Sequence, residues 1–314
     1  MSRFPQELID VIINQVDDRK TLEACSLVAS SFVCPSQRLL FHTVDLDLAI
    51  RTPPRKKAYA RFLRLLTLNP LLGTYVRSLR LGDGLEGFGF SRSWISSAKN
   101  LPQLFQLLPG LEIFSLTFNS DEKNWKSIPA DIRSAFERLF YLPTLQAVSL
   151  EYIYEFPPQL LFKLMRLKQL SLSIVDVDAN DTNYYLAVSG LRELHLRGTP
   201  PSTIAAITRC LTRSSPTLRR LAITPTLEPG FCAAISELII AAGSNITHFE
   251  WLPSIHFCTF FFPLSTHNLL SHHPLQLHRQ SRSISPGYLI CALSGLASPF
   301  GNFDPTILQK CCVS

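Results

Sequence analysis

The stretch LQAVSLEYIYEFPPQLLFKLMRLKQLSL, Leu145 to Leu172, holds one unit of structure and the start of the next. It opens on Leu145-x-x-Val148-x-Leu150 and closes on Leu167-x-x-Leu170-x-Leu172, the same spacing 22 residues later. Alternation at the last two apolar positions is the period of a β-strand with one buried face. Between the copies, Pro157 and Pro158 precede a run rich in Leu, which reads as a helix start and its apolar face. Strand, turn, helix and return is the unit of a chain that stacks on its own neighbours.

The same apolar-x-x-apolar-x-apolar signature recurs outward from this point. It occupies Val76-Leu79-Leu81, Leu111-Phe114-Leu116, Leu191-Leu194-Leu196, Leu218-Leu221-Ile223 and Ile246-Phe249-Trp251, with Phe41-Val44-Leu46 as an opening strand. Successive starts from Val76 lie 35, 34, 22, 24, 27 and 28 residues apart. The later spacings fall in the ~20–29-residue range of leucine-rich repeats. Helices are predicted between the strands, over 58–68, 94–108, 130–141, 158–165, 203–211 and 230–242. The repeat's usual Asn or Cys, three residues after the last apolar position, is matched by Asn119 alone. Gly84, Ile153, Val175, Thr199, Thr226 and Ser254 stand elsewhere. The expected fold class is α/β: a degenerate leucine-rich-repeat-like solenoid over 41–252, parallel strands on its concave face and helices on its convex face. An ordinary α/β sheet domain is the alternative.

Alternation places the second and third apolar residues of each strand in the core and their neighbours on the opposite face. The residues between them are Arg80, Ser115, Ser149, Ser171, His195, Ala222 and Glu250, flanked by Arg197, Arg220 and His248 among others. That face is small and hydroxylic at its centre and charged in its later part. Arg80, His195, Arg197, Arg220, His248 and Glu250 are the candidate target-binding residues, because solenoids commonly bind on such faces.

A second informative stretch is FPQELIDVIINQVDDRKTLEACSLVASSFVCPSQRLLFHTVDL, Phe4 to Leu46. Pro5 and Glu7 suit a helix N-terminus, and Leu8, Val11, Ile12 and Val16 form one apolar stripe. Asp17, Asp18 and Arg19 interrupt it. Thr21 then stands as the cap of a second helix, and Pro35 ends or restarts the pattern. Such a unit is too small to bury a core of its own. The order Pro5, Glu7, Leu8, Ile12, Ile13, Val16, Leu22, Cys25, Ser26, Leu27, Val28, Phe32, closing on Leu40 and Phe41, resembles an F-box of the fungal type. Phe4 replaces the family's usual Leu, and Ser30 and Ser31 stand where a basic residue is common. The resemblance implies a helical module over 1–40 that docks a Skp-type adaptor, and through it a cullin, by Pro5, Glu7, Leu8, Ile12, Ile13, Leu22, Cys25, Leu27, Val28 and Phe32. It implies a substrate-recognition subunit of an SCF-type ubiquitin ligase, not itself an enzyme. A helical cap over the repeats, on an interaction scaffold without ligase association, is the alternative.

Composition bounds these readings. The 314 residues are 46% hydrophobic and 17% charged, a globular balance with few charges. No secretion signal and no membrane-length apolar run is visible, which points to the cytoplasm or nucleus. The formal charge of +6 is local: 48–82 contains eight Arg and Lys and no acid. A solvated helix face or recognition of a phosphorylated target would each explain that stretch. Nucleic acid is not expected as a partner.

Gly82-x-Gly84-x-x-Gly87 has the letters of a dinucleotide loop, but Phe88 to Ser91 does not start the helix that such a site needs. His42, His195 and His248 are scattered without a nucleophile, so no catalytic group, cofactor or metal site is expected. Residues 253–314 abandon the repeat and read as an atypical, poorly ordered tail. They end on Cys311-Cys312-Val313-Ser314, a C-a-a-X form whose prenylation at Cys311 would be the one route to a membrane.

Overall fold

The computed structural model describes residues 4–46, 55–83, 94–118, 124–162, 166–178, 190–212 and 217–252. The tail with Cys311, most of the Gly82–Gly87 loop, and Asn119 and Ser254 lie outside them.

Over the described residues the protein is a mixed α/β chain built on one parallel sheet of eight strands. These are β1 (Thr43–Asp45), β2 (Ser78–Gly82), β3 (Ile113–Thr117), β4 (Ala147–Phe156), β5 (Gln169–Val177), β6 (Glu193–Arg197), β7 (Arg220–Thr224) and β8 (His248–Trp251). Each pairs with the next in sequence, so the sheet order is the chain order, with no reversal. The helices lie at the N-terminus and between the strands. They are α1 (Gln6–Asn14), α2 (Arg19–Val28), α3 (Ser30–His42), α4 (Arg55–Leu68), α5 (Trp94–Ser97), α6 (Leu101–Gln106), α7 (Ala130–Phe140), α8 (Pro158–Phe162), α9 (Pro201–Leu211) and α10 (Phe231–Ala242).

Register follows the repeated signature residue by residue. Leu79, Phe114, Val148, Leu170, Leu194, Leu221 and Phe249 are paired across successive strands, and so are Leu81, Leu116, Leu150, Leu172, Leu196, Ile223 and Trp251. All but Phe249 and Trp251, on the last strand, are buried. The first apolar residue of each unit, from Val76 through Leu218, is buried too, closing the turn beneath its strand. A one-residue slip would turn every one of these side chains to solvent, which is why the register is so uniform. The helices cover this face: Phe62 and Leu66 of α4, Ile132 and Phe136 of α7, Ile204 and Ile207 of α9 and Ile235 and Leu238 of α10 join the same apolar cluster. Phe114 sits at its centre, with ring centroids of Phe105, Phe136 and Phe140 about 6 Å away.

Two strands are twice as long as their neighbours, and their ends are irregular. Tyr152, Glu155 and Ile174 have positive φ, uncommon for residues with a side chain. At Tyr152 one extra residue resets the alternation, so that Ile153 is buried and Tyr152 and Tyr154 are not; a second at Glu155 returns Phe156 to the buried phase of Val148 and Leu150. Ile153 still pairs with Val175 in the register of the earlier residues, and the shift against β5 falls after it, so that Phe156 pairs with Val177. Lys126 holds the distorted Glu155, reaching its carboxylate and that of Asp178 at 3.0 Å each. Asn124 and Lys126 together keep Glu155 below the usual carboxylate pKa range. Gly198, also at positive φ, follows β6; a β-carbon there would meet the Ile174 side chain at 2.9 Å.

Ile153 and Val175 fill the repeat's Asn position with buried hydrocarbon. Thr199 fills it with a buried hydroxyl that donates to Leu172 O at 3.2 Å, tying the end of β6 back to β5. The predicted helix over 94–108 is two helices. Pro102 has no N–H to continue the first, and the chain turns through Leu101 N to Ala98 O at 2.9 Å before α6 begins.

The N-terminal helices bury a small cluster of their own: Ile9, Ile13 and Leu22, with Val16, Cys25, Phe32, Leu39 and Leu40 packed against it. Asp18, not Thr21, caps α2; its carboxylate accepts from Thr21 N at 2.8 Å and Thr21 Oγ1 at 2.7 Å. These bonds, the hydroxyl's first, lower the Asp18 pKa. Pro35 does not end a helix but lies inside α3. It cannot donate to the carbonyl of Ser31, one turn earlier, and Gln6 Nε2 of α1 takes that place at 3.0 Å. The missing bond of one helix thus becomes a tie to another. Helix α3 runs on to His42 and directly into β1, and Cys34 Sγ on it lies 3.3 Å from Tyr75 Oη.

Tyr59 of α4 is buried against Trp94, ring centroids 5.4 Å apart, and its hydroxyl has no hydrogen-bond partner. Burial pushes its pKa up to about 12 from 10.0. Between those values the unfolded chain loses a proton that the folded chain keeps, so stability falls as pH rises. Tyr59→Phe keeps the ring and removes the unpartnered hydroxyl. It is expected to leave stability at pH 7 unchanged or raise it by about 1 kcal/mol, and to reduce the loss above pH 10. Urea denaturation of both proteins across that range measures this.

Candidate functional site

Two surfaces stand out, one on the N-terminal helices and one on the sheet. On α1 the helical period divides the apolar residues in two. Ile9 and Ile13 turn inward, while Leu8 and Ile12 are 49% and 52% exposed and Val11 is exposed beside them. At the end of α2, Leu27 and Val28 are 87% and 74% exposed. Five aliphatic side chains this open, in a unit with three large aliphatic ones buried among the described residues, form surfaces of the kind that protein partners cover.

The ten residues expected to dock an adaptor are therefore not one set. Pro5, Glu7, Leu8, Ile12, Leu27 and Val28 are exposed and available to a partner. Ile13 and Leu22 are buried between the helices, because the phase of each helix points them inward. Cys25 and Phe32 are half-buried against that same core. The sequence stripe Leu8, Val11, Ile12, Val16 is one residue out of phase with the buried one, which also uses Ile9.

The second surface is the sheet face opposite the helices. Its central row runs Arg80, Ser115, Ser149, Ser171, His195, Ala222 and Glu250, in register across seven strands. These residues are exposed or half-buried, save Ala222, whereas their neighbours on the strands are core. The six candidate target-binding residues all lie on this face but not in one cluster. Arg80 is on β2, far along the sheet from the others. His195, Arg197, Arg220, His248 and Glu250 come together on β6, β7 and β8.

That group is partly self-neutralised. Arg220 Nη2 donates to Glu250 Oε1, and this carboxylate raises the Arg220 pKa. His195 Nε2 lies 3.9 Å from Glu193 Oε2 and has no hydrogen-bond partner. His248 Nδ1 is 2.9 Å from Thr247 Oγ1. Arg197 is exposed, with no side-chain partner among the described residues. The arrangement can orient polar and charged groups of a bound chain. Among the described residues no group of three His, Cys, Asp or Glu is placed to hold a metal ion.

No helix among the described residues is long and apolar enough to cross a membrane. No family model matches the sequence, and no curated protein does.

A division of α1 into an inner and an outer face has a measurable consequence. Leu8→Asp with Ile12→Asp is expected to change stability by no more than about 0.5 kcal/mol per site, as exposed substitutions do. Ile13→Ala is expected to cost about 2–4 kcal/mol locally. Hydrogen exchange of the α1 and α3 amides reports both, since these helices have a core separate from that of the sheet.

Proposed function

We propose that this chain is the substrate-recognition subunit of an SCF-type ubiquitin ligase, working in the cytoplasm or nucleus. Its N-terminal helices dock a Skp-type adaptor, which joins it to a cullin. Its sheet, read as a leucine-rich-repeat solenoid, holds the target protein. The observation that carries the reading is the exposure of Leu8, Ile12, Leu27 and Val28 on helices whose inner faces are already filled. These are positions where an F-box, which the segment resembles, meets its adaptor. Strand order equal to chain order, with one apolar signature per strand in register, supports the repeat reading of the sheet.

The chain itself performs no chemistry in this scheme. Docking buries the apolar edges of α1 and α2, which gives affinity. The sheet face places a target at a fixed distance from the adaptor, because α3 passes without a break into β1. Ubiquitin transfer belongs to other subunits.

Co-purification from cells expressing a tagged chain tests both halves. The intact protein is expected to bring down the Skp-type adaptor, and the Leu8→Asp, Ile12→Asp variant to lose it by at least about tenfold, because each buried charge costs several times the energy of a tenfold change. Arg197→Glu with Arg220→Glu is expected to keep the adaptor and lose the co-purifying targets. Failure of the intact, folded chain to bind the adaptor would leave a free-standing interaction scaffold as the reading.

A further inference from the structure

The residue just before each strand forms a second row, separate from the sheet face. Arg77, Glu112, Gln146, Lys168, Arg192 and Arg219 follow one another along it, each backbone N–H after the first donating to the carbonyl of the one before at 2.8 Å. Beside this row, where β3 to β7 begin, lies a groove of about 520 Å³. Glu112, Gln146, Arg166, Lys168, Arg192 and Thr217 contribute to its lining. Its walls are fixed: Thr144 Oγ1 donates to Leu111 O at 2.6 Å and Thr217 Oγ1 to Leu191 O at 2.8 Å.

The charge along the groove is graded. At the β3 end, Glu112 is paired with Arg77 at 3.5 Å. In the middle, Gln146 Oε1 accepts from Lys168 Nζ at 2.6 Å. Toward β6, Arg166, Lys168 and Arg192 are all exposed, and none has a carboxylate partner among the described residues. Arg219 continues the row beyond them. Like charges on adjacent strands destabilise a sheet, and Lys168, Arg192 and Arg219 stand on three adjacent strand starts. By contrast Arg77, Lys126 and Arg220 each meet an acid.

We propose that this groove binds an extended, anionic peptide segment, its acidic groups lying over Arg166, Lys168 and Arg192. The groove crosses five strand starts, about 19 Å at the spacing of neighbouring strands and roughly the length of six residues of extended chain. Guanidinium forks at both ends of the basic half suit carboxylate or phosphate in two-point contact. A nucleic acid is a poorer occupant, because its phosphates would continue past the basic half to Glu112, and three cations are few for a polyanion. The inference rests on the reading of the chain as a holder of targets, and it adds the chemistry of the segment held.

Fluorescence anisotropy on the full chain tests it, with labelled short peptides as probes: one rich in Glu and Asp, its Gln and Asn counterpart, and that neutral peptide with a single phosphoserine. The acidic or the phosphorylated peptide is expected to bind at least about tenfold tighter than the neutral one and to weaken with salt; which of the two binds better assigns carboxylate or phosphate. Arg166→Glu, Lys168→Glu, Arg192→Glu is expected to lose that preference while keeping its melting temperature, since all three side chains are exposed. Equal binding of the neutral peptide, unchanged binding by the triple variant, or displacement of the peptide by a short single-stranded oligonucleotide at lower concentration would overturn the proposal. The Leu8→Asp, Ile12→Asp variant separates the two readings. It is expected to bind peptide normally, and peptide binding by a chain that never captures the adaptor would remove the ligase assignment and leave the groove.

Discussion

Everything in the larger part of this protein depends on the registration of its buried apolar rows. Leu79, Phe114, Val148, Leu170, Leu194 and Leu221 are neighbours across the sheet and all lie beneath the helices. Burying one such side chain is worth about 1.5–3 kcal/mol, and the period of a strand ties all of them to a single register. The same tie fixes what lies between them. With Leu and Phe held inward, Ser149, Ser171, His195 and Glu250 have only the other face to occupy. The residues before each strand, among them Lys168 and Arg192, are likewise stacked one strand apart.

The N-terminal helices solve a different problem. Three buried side chains are a small core, and two devices supplement it. The Asp18 cap satisfies the start of α2, and Gln6 occupies the carbonyl that Pro35 leaves open in α3. What remains unsatisfied is apolar and outward, on Leu8, Ile12, Leu27 and Val28. A unit that is self-sufficient inside and greasy outside is suited to a permanent partner, which is the physical basis of the proposed docking role.

Much of this was legible in the residues, and the exceptions have physical reasons. The strands were readable because one signature recurs with the period of a half-buried strand. Helices such as α7 and α9 were readable from the Pro that precedes them. The extra residues at Tyr152, Glu155 and Ile174 were not. A bulge costs the sequence nothing visible, and Tyr-Ile-Tyr reads as plain alternation until the partner strand shows which side chain is buried. The inner face of α1 was less legible, because Leu8, Ile9, Ile12 and Ile13 are all aliphatic, so only the neighbouring helices decide which pair is inside. Ile13 and Leu22 stand in the docking set through the F-box resemblance alone, and packing among the helices buries them. The groove was overlooked because its cations are far apart in the chain. The available signal was positional: the residue after the first apolar position of each signature reads Glu, Gln, Lys, Arg, Arg from Glu112 to Arg219.

The central claim is a division of labour, with the adaptor on α1 and α2 and the sheet left free for a target. Hydrogen exchange of the full chain, alone and with purified Skp-type adaptor, addresses it most directly. The division requires slowed exchange in α1 and the end of α2 on adding the adaptor, with β2 to β8 unchanged. Unaltered exchange in those helices, or protection spread across the strands instead, would contradict it.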